Sequence, residues 1–167
     1  LFMDKIKILT VGAGAVGAYF TGRLAQKGAE VSVVARSDYN EVRQNGYDIK
    51  SIAGDFVFKP AGVYRDAAAY PSTPDYIFLC SKVLPEINQA ALIRGAVKSP
   101  KTVIVLIQNG IGIEDSVAEA FPQNEILSCT AYIGVTRIAH GVIQHKGSGR
   151  IKMGRFGGGI SESAEKI

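Results

Sequence analysis

Apolar residues recur along the chain in short continuous runs, each of strand length and bounded by glycine, proline or small polar residues. Ile6, Ile8, Leu9 and Val11 make the first, and glycines at 12, 14 and 17 follow at once. Runs that are apolar at consecutive positions suit strands buried on both faces of a parallel sheet. Past the glycines the period changes. Val16, Phe20 and Leu24 recur at helical spacing from a start near Ala15, and Gly28 supplies the stop. A second strand over 30–35 then closes a strand, turn, helix and strand unit of about thirty residues.

The same reading continues down the chain. It predicts a helix over 38–44 capped by Ser37 and ended by Asn45-Gly46, then two short strands over 47–52 and 55–58 around the turn Ala53-Gly54. A loop over 63–74 carries Pro71 and Pro74, and a buried strand over 75–80 ends in Ser81-Lys82. A helix over 84–98 with Pro85 in its first turn comes next, and then the most continuous apolar run, 102–107, read as a central strand ending in Gln108-Asn109-Gly110. A helix over 112–121 precedes a change to β character. Strands are expected over 126–135, 142–145 and 150–153, separated by His140-Gly141 and Gly147-Ser148-Gly149. Gly157-Gly158-Gly159 and the residues after it read as a flexible exit. Leu1 and Phe2 precede Met3, read as an expression remnant, and are left out of the fold.

The spacing Gly12-x-Gly14-x-x-Gly17 between a strand and a helix has a mechanical reason. Gly12 allows the tight turn, Gly14 lacks the Cβ that would bar a pyrophosphate from the backbone, and Gly17 lets helix and sheet pack closely. The helix then aims free N–H groups and its positive dipole end at the phosphates. The stretch therefore reads as a dinucleotide site, against the plainer alternative of a glycine-rich turn without ligand. At the end of the second strand, where an acid would accept from a ribose 2′-OH, stands Arg36, about twenty positions beyond Gly17. An Arg there pairs with a 2′-phosphate, which favours NADP(H) over NAD(H), with Asp38 as the competing residue. Lys82 sits at a strand's carboxyl end, where it is either a charge beside ligand or a solvated lysine. Asn109 at the same edge is either a substrate-holding amide or part of a turn.

Composition narrows the class. The chain has 167 residues, 47% of them hydrophobic and 20% charged, enough for one well-buried domain. A net charge of +4 without a basic run speaks against nucleic acid, and apolar runs of strand length speak against a membrane span. Cys80 and Cys129 fit neither a disulfide framework nor a metal pair and read as reduced thiols of a cytoplasmic protein. His140 and His145 have no ligand partners at metal spacing, so no metal site is expected.

Together, Gly12 to Gly17, Arg36-Ser37, Lys82, Gln108-Asn109-Gly110 and Gly141-Val-Ile-Gln-His145 with Gly147 and Gly149 resemble ketopantoate reductase, the 2-dehydropantoate 2-reductase family. The resemblance spans about 5–154. It implies NADPH-dependent reduction of 2-dehydropantoate to (R)-pantoate on the route to pantothenate and coenzyme A, so the small-molecule substrate is a 2-keto acid. It assigns Gly12, Ala13, Gly14, Ala15, Val16 and Gly17 to the pyrophosphate, Arg36 to the 2′-phosphate, and Lys82 and Asn109 to the nicotinamide end and catalysis. The backbone near Gly134 and Val135 is expected to face the cofactor. The family's helical second domain, which supplies a proton-donating lysine and substrate-binding residues, has no counterpart in these residues. The expected fold is thus α/β, doubly wound and Rossmann-like, with a mainly parallel sheet and an antiparallel extension at the C-terminal end. The cofactor-binding domain is 3–154, and 155–167 is an exit towards a missing C-terminal helical domain. On this reading the isolated chain is inactive, and a homodimer is left open. A non-catalytic dinucleotide sensor and a reductase for another 2-keto acid are the alternatives.

Overall fold

Strand β1 (Lys7–Val11) buries four of its five residues, and alternate side chains enter different cores. Ile8 joins one apolar cluster, whereas Leu9 and Val11 join another on the opposite face. The structure, a computed structural model, describes residues 4–108 and 112–167; Leu1, Phe2 and Met3, and 109–111, lie outside the described residues. Helix α1 (Ala15–Gln26) returns the chain to β2 (Glu30–Val34), which pairs parallel to β1 from Lys7↔Glu30 to Val11↔Val34.

Helix α2 (Tyr39–Asn45) leads to the hairpin of β3 (Tyr47–Ser51) and β4 (Phe56–Phe58). The stretch expected as a plain loop contains β5 (Val63–Tyr64), parallel to β2, and a short 3-10 turn at Ala67–Ala69. Next come β6 (Tyr76–Leu79), α3 (Gln89–Ile93), β7 (Val103–Ile107), α4 (Ile113–Ala120), β8 (Ile126–Ala139), β9 (Val142–Arg155) and α5 (Glu162–Lys166). One nine-stranded sheet runs β4, β3, β9, β8, β7, β6, β1, β2, β5. From β5 to β8 this is the doubly wound order, with all neighbours parallel and β7 central as the sequence predicts. The antiparallel extension is the β8–β9 hairpin. No helix among the described residues is long and apolar enough to cross a membrane.

The hairpin of β3 and β4 follows β2 in sequence yet lies at the far edge of the sheet, pairing with β9. Helix α2, about 10 Å long at 1.5 Å per residue, covers that path because the sheet curls around α1. A Cβ on Gly22 of α1 would sit 3.2 Å from Phe56 and Phe58 of β4, and Tyr19 meets His145 of β9 at 4.4 Å between ring centroids. The predicted stripe Val16, Phe20 and Leu24 is only half-buried, whereas Gly17, Ala18, Tyr19, Thr21 and Gly22 are buried. A helix enclosed by a curled sheet buries its small face as well as its large one.

Three expectations are corrected. The helix over 84–98 is only α3, followed by a 3-10 turn at Arg94–Ala96. The Asn88 side chain accepts from Ala91 N–H and starts the helix late, and Gly95 lies so close to Ala68 that a Cβ would be at 2.5 Å. The strands over 142–145 and 150–153 are one strand, and Gly147-Ser148-Gly149 is a bulge within it, with Ser148 at φ 57 and Gly149 at φ 132. The segment after Gly159, read as an exit, carries α5; Ser161 caps it, and the Tyr76 hydroxyl donates to the Ser163 carbonyl.

Candidate functional site

A cleft of about 520 Å³ opens at the carboxyl ends of β1, β2, β5 and β6. Its floor is Gly12, Ala13 and Gly14. Gly12 has φ 76, and a Cβ there would lie 2.5 Å from the Ser81 nitrogen, so the turn tolerates no side chain. At Gly17 a Cβ would press on Cys80 at 3.1 Å and on Thr10 at 3.2 Å, which is the close packing of helix on strand. At Gly14, by contrast, a Cβ would meet nothing within 4 Å. The space above Gly14 is open, and that is the side from which a phosphate would approach the backbone and the first N–H groups of α1. These residues fit a dinucleotide. Tyr47 braces the turn by donating its hydroxyl to the Ala13 carbonyl at 2.9 Å; burial, reinforced by Asp38, raises its pKa, so it stays a donor.

At one end of the cleft Arg36 is exposed on the wall. Asp38 is buried, its side chain 5% exposed, and its Oδ1 accepts from Arg137 Nη1 at 2.8 Å and from His140 Nδ1 at 2.8 Å. A carboxylate only accepts, so His140 carries its proton on Nδ1. Arg137 also donates to Ser37 Oγ at 2.8 Å. Ser37 therefore does not cap α2: Asp38 holds the N-cap position, and neither side chain bonds the helix N–H groups. Arg65, just past β5, lines the same end.

At the other end Lys82 is exposed on the wall beside Leu84 and Ile87. Three side chains form a network around it, and one of them bonds its backbone. Gln89 Nε2 donates to the Lys82 carbonyl at 3.2 Å, the Ser81 hydroxyl donates to Gln89 Oε1 at 2.8 Å, and Gln108 Nε2 donates to the Ser81 carbonyl at 2.8 Å. The ends of β6 and β7 are thereby locked together. Asn109, next in the chain, lies outside the described residues.

Val135 is not on the cleft wall. It pairs with His145 on the β8–β9 hairpin and packs, half-buried, on the core around α1. Ala15 and Val16 are half-buried where α1 opens. Of the thiols, Cys80 lines the cleft and Cys129 is buried with its pKa pushed up to about 12 by burial. Pairing of Leu79 with Leu106 and of Ile107 with Cys129 sets the two cysteines two strands apart, about 10 Å, beyond disulfide reach. His145 is 2% exposed; Ser51 donates to its Nδ1 at 2.8 Å, and its Nε2–H donates to the Ser148 carbonyl at 2.7 Å. It is part of the frame.

Sequence reasoning missed Arg65, Arg137, Gln89 and Tyr47. Arg65 stood in an expected loop and Arg137 beyond the expected end of a strand; the pairing of β5 with β2 brings the first to the cleft, and the curl of the sheet brings the second.

Residues 8–158 match the family model described as ketopantoate reductase PanE/ApbA. The chain belongs to the ketopantoate reductase family. This is an oxidoreductase family, and the matched span holds every residue lining the cleft. Among solved structures, 2-dehydropantoate 2-reductase from Methylococcus capsulatus is 48% identical with a TM-score of 0.90, over 95% of this chain and 51% of that one. A curated ketopantoate reductase relative, 2-dehydropantoate 2-reductase of Nostoc sp., is 31% identical over 95% of this chain and 49% of its own length. The Meiotically up-regulated gene 72 protein of Schizosaccharomyces pombe is 36% identical over 75% of this chain and 23% of its own length. The chain thus spans about half the length of the first two.

Proposed function

We propose that this chain is the NADPH-binding half of a 2-dehydropantoate 2-reductase, reducing that 2-keto acid to (R)-pantoate for pantothenate and coenzyme A synthesis. The observation that carries the reading is that one cleft holds the glycine turn at its floor, Arg36 at one end and Lys82 at the other. A dinucleotide has its parts in that order: 2′-phosphate, pyrophosphate, nicotinamide. The preference for NADPH is supported by the state of two side chains. Arg36 is exposed on the wall, while the Asp38 carboxylate that could serve a ribose hydroxyl is buried against Arg137 and His140.

Bound in this cleft, the reduced nicotinamide supplies the hydride for the 2-keto carbon. Lys82 then places its ammonium beside the carbonyl oxygen and stabilises the negative charge that grows there. Asn109 orients the same carbonyl through its amide. The bonds from Gln89 and Gln108 keep the Lys82 backbone from drifting, so the charge is positioned before reaction. Leu84 and Ile87 give that end an apolar lining. The proton for the new hydroxyl comes from the helical domain that the resemblance implies. The test is the isolated chain mixed with NADPH and 2-dehydropantoate. The expected result is saturable NADPH binding with little or no turnover. Near-normal turnover contradicts the division between domains, and absence of NADPH binding contradicts the assignment of the cleft.

A further inference from the structure

The cleft end that holds Arg36 is more basic than one ribose needs. Strand β5 runs beside β2 with Val34 opposite Tyr64, and Ala35 N–H donates to the Tyr64 carbonyl at 2.9 Å. Arg65 and Arg36 therefore leave neighbouring strands at the same edge, and both are exposed on the cleft wall. The carboxylates close to them are already engaged. Asp38 is held by Arg137 and His140, and Asp66 accepts from Ala68 N–H at 3.0 Å. Among the described residues neither Arg36 nor Arg65 makes an ion pair, whereas Arg137 and Arg155 do.

Arg65 is also held in a particular posture. Its guanidinium carbon lies 4.0 Å from the centroid of the Tyr39 ring, in the first turn of α2. Stacking occupies the face of a guanidinium and leaves its in-plane N–H donors available. A planar fork that is already ordered loses little freedom when it binds. Two unpaired guanidinium groups on adjacent strand ends call for a dianion with several acceptor oxygens, which a phosphomonoester provides and a ribose hydroxyl does not.

We propose that Arg65 is the second arm of a clamp that, with Arg36, grips the 2′-phosphate of the dinucleotide, and that Tyr39 holds this arm in place. The proposal rests on the reading of the cleft as an NADPH site. It makes Arg65 a residue that sets cofactor preference.

The experiment is a calorimetric titration of the chain, wild type and Arg65→Ala, with NADPH, NADH, adenosine 2′,5′-bisphosphate and 5′-AMP. Arg65→Ala is expected to weaken NADPH and the bisphosphate at least about tenfold while leaving NADH and 5′-AMP within about twofold. Arg65→Lys, which keeps the charge and loses the fork, recovers part of the loss. A purely structural role would weaken all four ligands alike, and that result overturns the clamp, as does unchanged NADPH affinity. A wild-type preference for NADPH that survives Arg65→Ala overturns the clamp alone. Failure of wild type to bind either dinucleotide overturns both the clamp and the reading of the cleft.

Discussion

Gly12, Gly14 and Gly17 look equivalent in the sequence, and their surroundings separate them. A Cβ at Gly12 would collide with the Ser81 backbone, and one at Gly17 would press on Cys80 and Thr10, so both glycines serve packing. Gly14 has open space above it, and its φ of −78 is available to any residue. In the proposed function that open space is where the pyrophosphate meets the backbone. Gly14→Ala is accordingly expected to change the unfolding free energy by less than about 1 kcal/mol in urea denaturation, the scale of a cap exchange. The same variant is expected to weaken NADPH at least about tenfold. Equal NADPH affinity in wild type and Gly14→Ala contradicts the phosphate site. The tight packing at Gly12 and Gly17 was legible in spacing alone, and so was the place of Arg36 at a strand end. Arg65 was not, because its partner Tyr39 and its neighbour Arg36 reach it only through the pairing of β2 with β5.

Among the elements, the strands were readable and the helices less so. β1, β2, β6 and β7 are buried on both faces, and continuous apolar runs report that directly. Position at a strand end then places Lys82 at the cleft edge, and Gln108 beside Ser81, without further information. The stretch 84–98 has helical composition, yet Asn88 and Gly95 break it, since a local cap and a tertiary contact outweigh propensity. The consequence for the site is that Leu84 and Ile87 line the cleft from a hydrogen-bonded turn. Gly147-Ser148-Gly149 carries turn composition but sits opposite Ile133 and Gly134 in the middle of a long ladder. Such a bulge is told from a turn only by what pairs across it.

At the scale of the molecule, the curl of the sheet around α1 joins features far apart in sequence. It brings Tyr47 onto the glycine turn and Arg137 onto Asp38, and no periodicity within one element foretells it. The same enclosure buries groups that resist ionisation. Thiols and phenols are protonated below about pH 7 in both folded and unfolded chains, so their contribution is constant there. Above that pH the unfolded chain loses protons that folded Tyr47, raised above its ordinary value, and Cys129, pushed up to about 12, retain. Stability is therefore expected to fall from about pH 8 upward, with a shallower fall in Cys129→Ala, as read from urea midpoints across that range. A flat profile contradicts the burial of these groups.

In the proposed function this curled sheet presents a site for NADPH. It is tested most directly by fluorescence titration with NADPH and NADH in parallel, for wild type and for Arg36→Ala. NADPH is expected to bind at least about tenfold more tightly, roughly 1.4 kcal/mol, with loss of that gap in Arg36→Ala. NADH binding as tightly as NADPH in wild type contradicts it.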